Sequence, residues 1–112
     1  MVRNACFRRA ELAAKRDWSG LGELDHDAGW DAQRWEAAFA EYFADHVMIG
    51  TGLTARGAAL WQVAELGRTW RARQVLDDPE GYHEWAIVLD IGLDASDQAG
   101  EPAVRPVGVE RL

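Results

Sequence analysis

The densest polar cluster in this 112-residue chain is Asp77, Asp78, Glu80 and His83. Two carboxylates beside an imidazole can perform general acid/base work when burial pulls their pKa values apart. The same stretch, Asp77-Asp78-Pro79-Glu80-Gly81, is also an ordinary solvated turn, because proline fixes φ and glycine permits positive φ. The turn is the preferred reading, and no catalytic residue is assigned. A second candidate is the glycine-rich loop from Gly50 to Gly57. Phosphate-binding loops need glycines at fixed offsets between a strand and a helix. Here the pattern is Gly50-x-Gly52 and then Gly57, no Lys-Ser/Thr follows, and the loop lies between a helix and a strand, the wrong order. Gly50, Thr51, Gly52, Arg56 and Gly57 are therefore expected to build a structural loop.

His26, His46 and His83 show no metal-ligand spacing with one another, and Cys6 is far from them in sequence, so no metal site is expected. His46 is expected to cap the C-terminus of a helix, where an imidazolium meets the helix dipole favourably. Cys6 lies among apolar helical residues and reads as a small core hydrophobe. Arg8, Arg9, Lys15 and Arg16 form the best electrostatic candidate for touching a phosphate backbone. Their other reading is a solvated face, or a surface that docks on acidic protein. Trp18 or Trp30 could stack on a single-stranded base if exposed, although such residues are more often core.

The elements that position these groups follow from periodicity. Phe7, Ala10, Ala14, Trp18 and Leu21 recur at three- and four-residue spacing, which predicts one helix from about Arg3 to Gly20, stopped by Gly20 and Gly22. Asp31 is a good N-cap for a second helix ending near His46, with Trp30 and Trp35 at staple spacing. The period then changes from 3.6 to 2. Strands are expected over Leu60 to Leu66, Thr69 to Leu76 and Trp85 to Leu93, with a type II′ turn at Gly67-Arg68. The turn Asp97-Gln98-Ala99-Gly100 leads to a last strand from Ala103 to Val109, which Pro106 confines to an edge. Arg71 and Arg73 should face away from the core beside Asp90 and Glu84 or Asp94, forming cross-strand ion pairs. The fold class is α+β: two N-terminal helices packed on one face of a four-stranded antiparallel meander.

The length suits one domain covering residues 1–112. A single cysteine excludes an internal disulfide. There is no signal-peptide-like or membrane-spanning apolar run, so no membrane partner and a cytoplasmic location are expected. The net charge of −7 argues against a dedicated nucleic-acid binder. Charge alternates in blocks. Residues 1–16 and 51–76 are basic, while residues 17–50 and 77–101 are acidic. Such blocks are expected to pair with each other or with a neighbouring domain.

Several short motifs together carry a resemblance. Val2-Arg3-Asn4-Ala5-Cys6-Phe7-Arg8-Arg9 is followed by Glu11-Leu12-Ala13, Gly29-Trp30-Asp31, Tyr42-Phe43 and the His46-to-Gly52 pattern H-x-x-I-G-T-G. Then come Ala55-Arg56-Gly57, Arg73-Gln74-Val75-Leu76-Asp77-Asp78-Pro79, His83-x-Trp85 and Leu93-Asp94-Ala95-Ser96-Asp97. Nearly the whole chain so resembles a C-terminal accessory domain, itself of unknown function, of bacterial DEAD/DEAH-box superfamily II RNA helicases. Leu53-Thr54 departs from the pattern, where Pro-Asp would stand. The resemblance implies an accessory, regulatory or substrate-guiding role, with the helicase motor domains in cis and RNA as partners. ATP and Mg2+ would belong to a parent helicase, and no cofactor is expected in this chain. The alternative is a module unrelated to nucleic acid that binds a small ligand or forms a homodimer through its sheet and tryptophans. A third reading is a small hydrolase using the Asp77–His83 segment.

Overall fold

The first apolar stripe is interrupted halfway. The computed structural model, which describes residues 2–92 and 103–112, divides the expected first helix into α1 (Val2–Ala14) and α2 (Trp18–Leu24). The break is a Schellman motif on an unusual residue. Arg16 takes φ 54, a left-handed conformation that glycine normally supplies. Its N–H donates to Ala13 O and that of Asp17 to Leu12 O, both at 2.9 Å. The Arg16 guanidinium lies 4.0 Å from the centroid of the Phe43 ring and donates to Val47 O at 2.9 Å, contacts that offset the strained backbone. Asp17 then starts α2 by accepting from Gly20 N at 2.9 Å. Gly20 and Gly22 therefore lie inside a helix and do not stop one. Gly22 is needed for close packing, because a Cβ there would sit 2.6 Å from Ala32 N at the start of the next helix.

That helix, α3 (Ala32–Asp45), has the capping anticipated from its sequence. Asp31 Oδ1 accepts from Arg34 N at 2.8 Å, and the Trp30 and Trp35 rings approach to 4.7 Å. The loop after it contains a helical turn, α4 (Leu53–Arg56), and a 3-10 turn (Ala58–Leu60). The strands β1 (Trp61–Leu66), β2 (Thr69–Val75), β3 (Trp85–Gly92) and β4 (Val104–Arg111) form one antiparallel sheet in sequence order. The β1–β2 hairpin closes at Gly67, φ 66. Pro106 lies in the edge strand β4, opposite Leu89, beside a bulge at Val88/Leu89. The turn expected at Asp97–Gly100 lies outside the described residues.

Trp85, Ile87, Leu89 and Ile91 of β3 face the helices and share one core with Cys6, Phe7 and Ala10 of α1, Leu21 of α2, and Trp35, Phe39 and Tyr42 of α3. Ala86 and Val88, on the opposite face of β3, are also buried. Ala86 packs with Leu60 and Val75 in a second, small cluster. Of the expected cross-strand pairs, Arg71 meets Asp90 through two bonds of 2.8 and 3.0 Å. Arg73 lies opposite Val88 and makes no ion pair among the described residues. The Asp94 contact falls outside them.

Candidate functional site

The fold joins two segments whose contacting residues, His46 and Glu80, are 34 apart in sequence. The end of α3 delivers His46, and the chain leaving β2 delivers Asp77, Asp78, Glu80 and His83. An isolated antiparallel bridge between Gly50 and Asp77 clips them together, with Gly50 N donating to Asp77 O at 2.8 Å. The fit is close, since a Cβ at Gly50 would lie 2.7 Å from Asp77 Oδ2 and 3.2 Å from Asp77 O. Tyr42 fastens the same corner by donating its hydroxyl to Met48 O at 2.6 Å. A groove of about 420 Å3 opens between these segments, lined by Met48, Gly50, Thr54, Asp77 and His83 among others.

His46 is the C-cap residue of α3, as expected, and its N–H donates to Tyr42 O. Its imidazole, however, turns toward the acidic turn. Nδ1 lies 2.5 Å from Glu80 Oε1 and 3.8 Å from Asp78 Oδ2. His83, at φ 52, places Nε2 3.0 Å from Asp77 Oδ1. Asp78 is buried, and burial alone would raise its pKa. The N–H groups of Tyr82 and His83, which donate to its two oxygens at 3.0 and 2.8 Å, outweigh that cost and hold it below the usual carboxylate range. Tyr42 is shifted upward, first by burial and then by the charges of Asp78, Glu80 and Asp77. The corner is thus a concentration of negative charge with imidazoles set into it. Two histidines each hydrogen-bonded to a carboxylate give a binding or positioning constellation. Among the described residues no nucleophile is bonded to either imidazole.

The other candidates have structural surroundings. Arg9 is buried, and its Nη2 and Nε donate to the buried Asp25 carboxylate at 2.5 and 3.1 Å. Arg16 is held against Phe43, as described. Arg8 and Lys15 are exposed and make no ion pair among the described residues. The four cations therefore do not share one free face. In the glycine loop, Gly50 N and Gly57 N donate to Asp77 O and Thr54 O. Gly52 is the N-cap of α4, Thr51 is exposed, and Arg56 stacks over Phe7 at 4.7 Å and reaches Glu11 at 3.2 Å. Trp30 is buried and Trp18 is half-buried against Phe39 and Phe43, so neither offers a free stacking platform. A wider groove of about 580 Å3 runs past Ser19, Leu24 and His26, where the His26 and Asp27 side chains are fully solvated.

Sequence reading marked Asp77, Asp78, Glu80 and His83 but did not join His46 to them, because nothing in the spacing links residue 46 to residue 80. The available signal was the pair of short motifs on either side, His46-to-Gly52 and Asp77-to-His83, which the fold brings into one place.

A family model described as a domain of unknown function (DUF3516) matches residues 1–109. No curated protein and no solved structure matches the chain.

Proposed function

The chain belongs to the DUF3516 family of domains of unknown function, and from that premise we propose that it is a non-catalytic accessory module of a cytoplasmic ATP-dependent RNA helicase, docking on the motor domains of its parent protein. One observation carries the docking. The His46–Asp78 corner is rimmed by apolar side chains left in solvent, with Val47 74%, Met48 53%, Leu53 92% and Tyr82 63% exposed. Aromatic and methionine side chains around a polar centre are characteristic of protein interfaces. The acidic centre suits a partner surface carrying arginine or lysine, and it repels a phosphate backbone. RNA guidance through Arg8, Arg9, Lys15 and Arg16 is the weaker mode, because Arg9 is internal and Arg16 is engaged. ATP and Mg2+ belong to the motor, which supplies their binding residues.

The test is unwinding by the intact helicase. A Leu53→Asp/Tyr82→Asp change is expected to lower unwinding, while charge reversal at Arg8 and Lys15 leaves RNA affinity unchanged. Unaltered unwinding by the first variant overturns the docking. A second reading, a homodimer, is favoured by strand β1, an outer strand of the sheet with Val63 41% and Leu66 54% exposed. Sedimentation at micromolar concentration distinguishes the two: a strict monomer removes the dimer reading.

A further inference from the structure

We infer that His46, Asp78 and Glu80 form a binding site for one divalent first-row transition-metal ion, with Zn2+ the best fit. His46 Nδ1 and one oxygen from each carboxylate lie within 4.8 Å of one another. One imidazole nitrogen with two carboxylate oxygens is a mixed donor set. It suits Zn2+ and its neighbours better than Mg2+ or Ca2+, which take oxygen ligands, or Cu(I), which prefers sulfur.

The spacing is close to what an ion needs. Metal–ligand bonds of about 2.0–2.2 Å place neighbouring donor atoms roughly 3–4 Å apart. His46 Nδ1 and Asp78 Oδ2 are 3.8 Å apart, and both side chains are buried, at 5% and 2% exposure. Only Glu80 is too near His46, at 2.5 Å, and it is also the exposed partner, at 43%. Two fixed ligands and one that can back away leave the remaining coordination positions open to water. The Tyr82 and His83 amides orient the Asp78 carboxylate, the role that outer-shell hydrogen bonds play around metal ligands.

Charge balance supplies the independent argument. The two buried carboxylates among the described residues are treated differently. Asp25 has a full guanidinium against it, that of Arg9. Asp78 has no lysine or arginine partner among the described residues, and its one ion-pair partner is His46. Asp77 and Glu80 add further negative charge beside it. Buried carboxylates are paired or coordinate a metal; Asp78 is held by two backbone amides and His46, and a cation would add the full positive charge that Asp25 already receives from Arg9. Because His46 ends α3 and Asp78 follows β2, an ion here would staple the two segments that carry Met48 and Tyr82. The ion is assigned this structural part, and no chemical step.

The experiment is a Co2+ titration of the metal-free domain at neutral pH, read by d–d absorption. A saturable band at one equivalent, displaced by Zn2+, is expected. Glu80→Gln, at an exposed position and with its fold verified by circular dichroism, should weaken binding at least about tenfold. His46→Gln should remove the band. Absence of a saturable band in the wild-type domain overturns the site, and so does a band of equal affinity in both variants, which would place the ion on exposed acidic groups elsewhere.

Discussion

Replacing Arg9 by leucine removes the guanidinium that neutralises the buried Asp25 carboxylate. The Arg9 and Asp25 side chains are 5% and 1% exposed. Their two bonds, of 2.5 and 3.1 Å, are joined by a third from Arg9 Nη1 to Ala5 O at 2.6 Å. Removing one partner of such a pair leaves an uncompensated charge away from water, which costs about 3–5 kcal/mol. For a domain of this size each kcal/mol lowers Tm by about 4 °C, so a fall of roughly 12–20 °C is expected. That is a large share of the ~5–15 kcal/mol that holds a domain together. Replacing both residues by leucine should recover most of the loss, since a well-packed apolar pair avoids the desolvation cost. Arg8→Leu, one residue away on the exposed side of α1, should change stability by no more than about 0.5 kcal/mol. Urea unfolding followed by tryptophan fluorescence measures all four proteins. The reasoning fails if Arg9→Leu lies within about 1 kcal/mol of wild type, or if Arg8→Leu and Arg9→Leu behave alike.

Other outcomes follow from single contacts. Gly22→Ala forces a Cβ to within 2.6 Å of Ala32 N, which is backbone and cannot swing aside; a loss of about 1–3 kcal/mol is expected in the same unfolding assay. At Arg16, alanine keeps the left-handed backbone and loses the Phe43 and Val47 contacts, whereas glycine relieves the backbone. Arg16→Ala should therefore be less stable than Arg16→Gly by roughly 1 kcal/mol. Burial pushes the Cys6 thiol up from 9.0 to about 11, with Arg9 pulling it down and Asp25 pushing it up. A folded value above the unfolded one means that this contribution is intact below about pH 9 and is lost as pH rises through about 11. Urea midpoints should fall across that window, less steeply in Cys6→Ala, and native Cys6 should resist thiol labelling at pH values where free cysteine reacts.

Helix α3, the hairpin turn, the strand β3 and the edge position of Pro106 were legible because each rests on local chemistry: a cap, a staple, a turn residue or a period. The break between α1 and α2 was not. Its stop signal is Arg16, whose left-handed backbone is sustained by tertiary contacts to Phe43 and Val47, and glycine positions alone pointed to the wrong residues. The inward face of Ala86 was likewise hidden, because alternation shows which residues share a face and not whether the second face is covered, here by Leu60 and Val75. The charge blocks correctly anticipated pairing between segments, as Arg9–Asp25 and Arg71–Asp90 show. They did not reveal that Arg9 would be consumed internally. At the candidate site the turn residues were readable, but His46 meets them through tertiary contacts, the Gly50–Asp77 bridge and its own approach to Glu80, between segments far apart in sequence.

Calorimetric binding of this domain to the motor domains of the helicase proposed as its parent, compared with the Leu53→Asp/Tyr82→Asp variant and with single-stranded RNA, would decide the proposed docking role. Saturable binding of the wild-type domain to the motor, at least about tenfold weaker in the variant as interface anchors require, is the predicted result. Equal affinity of the two proteins for the motor, or RNA binding that weakens steeply with salt in place of motor binding, would contradict it.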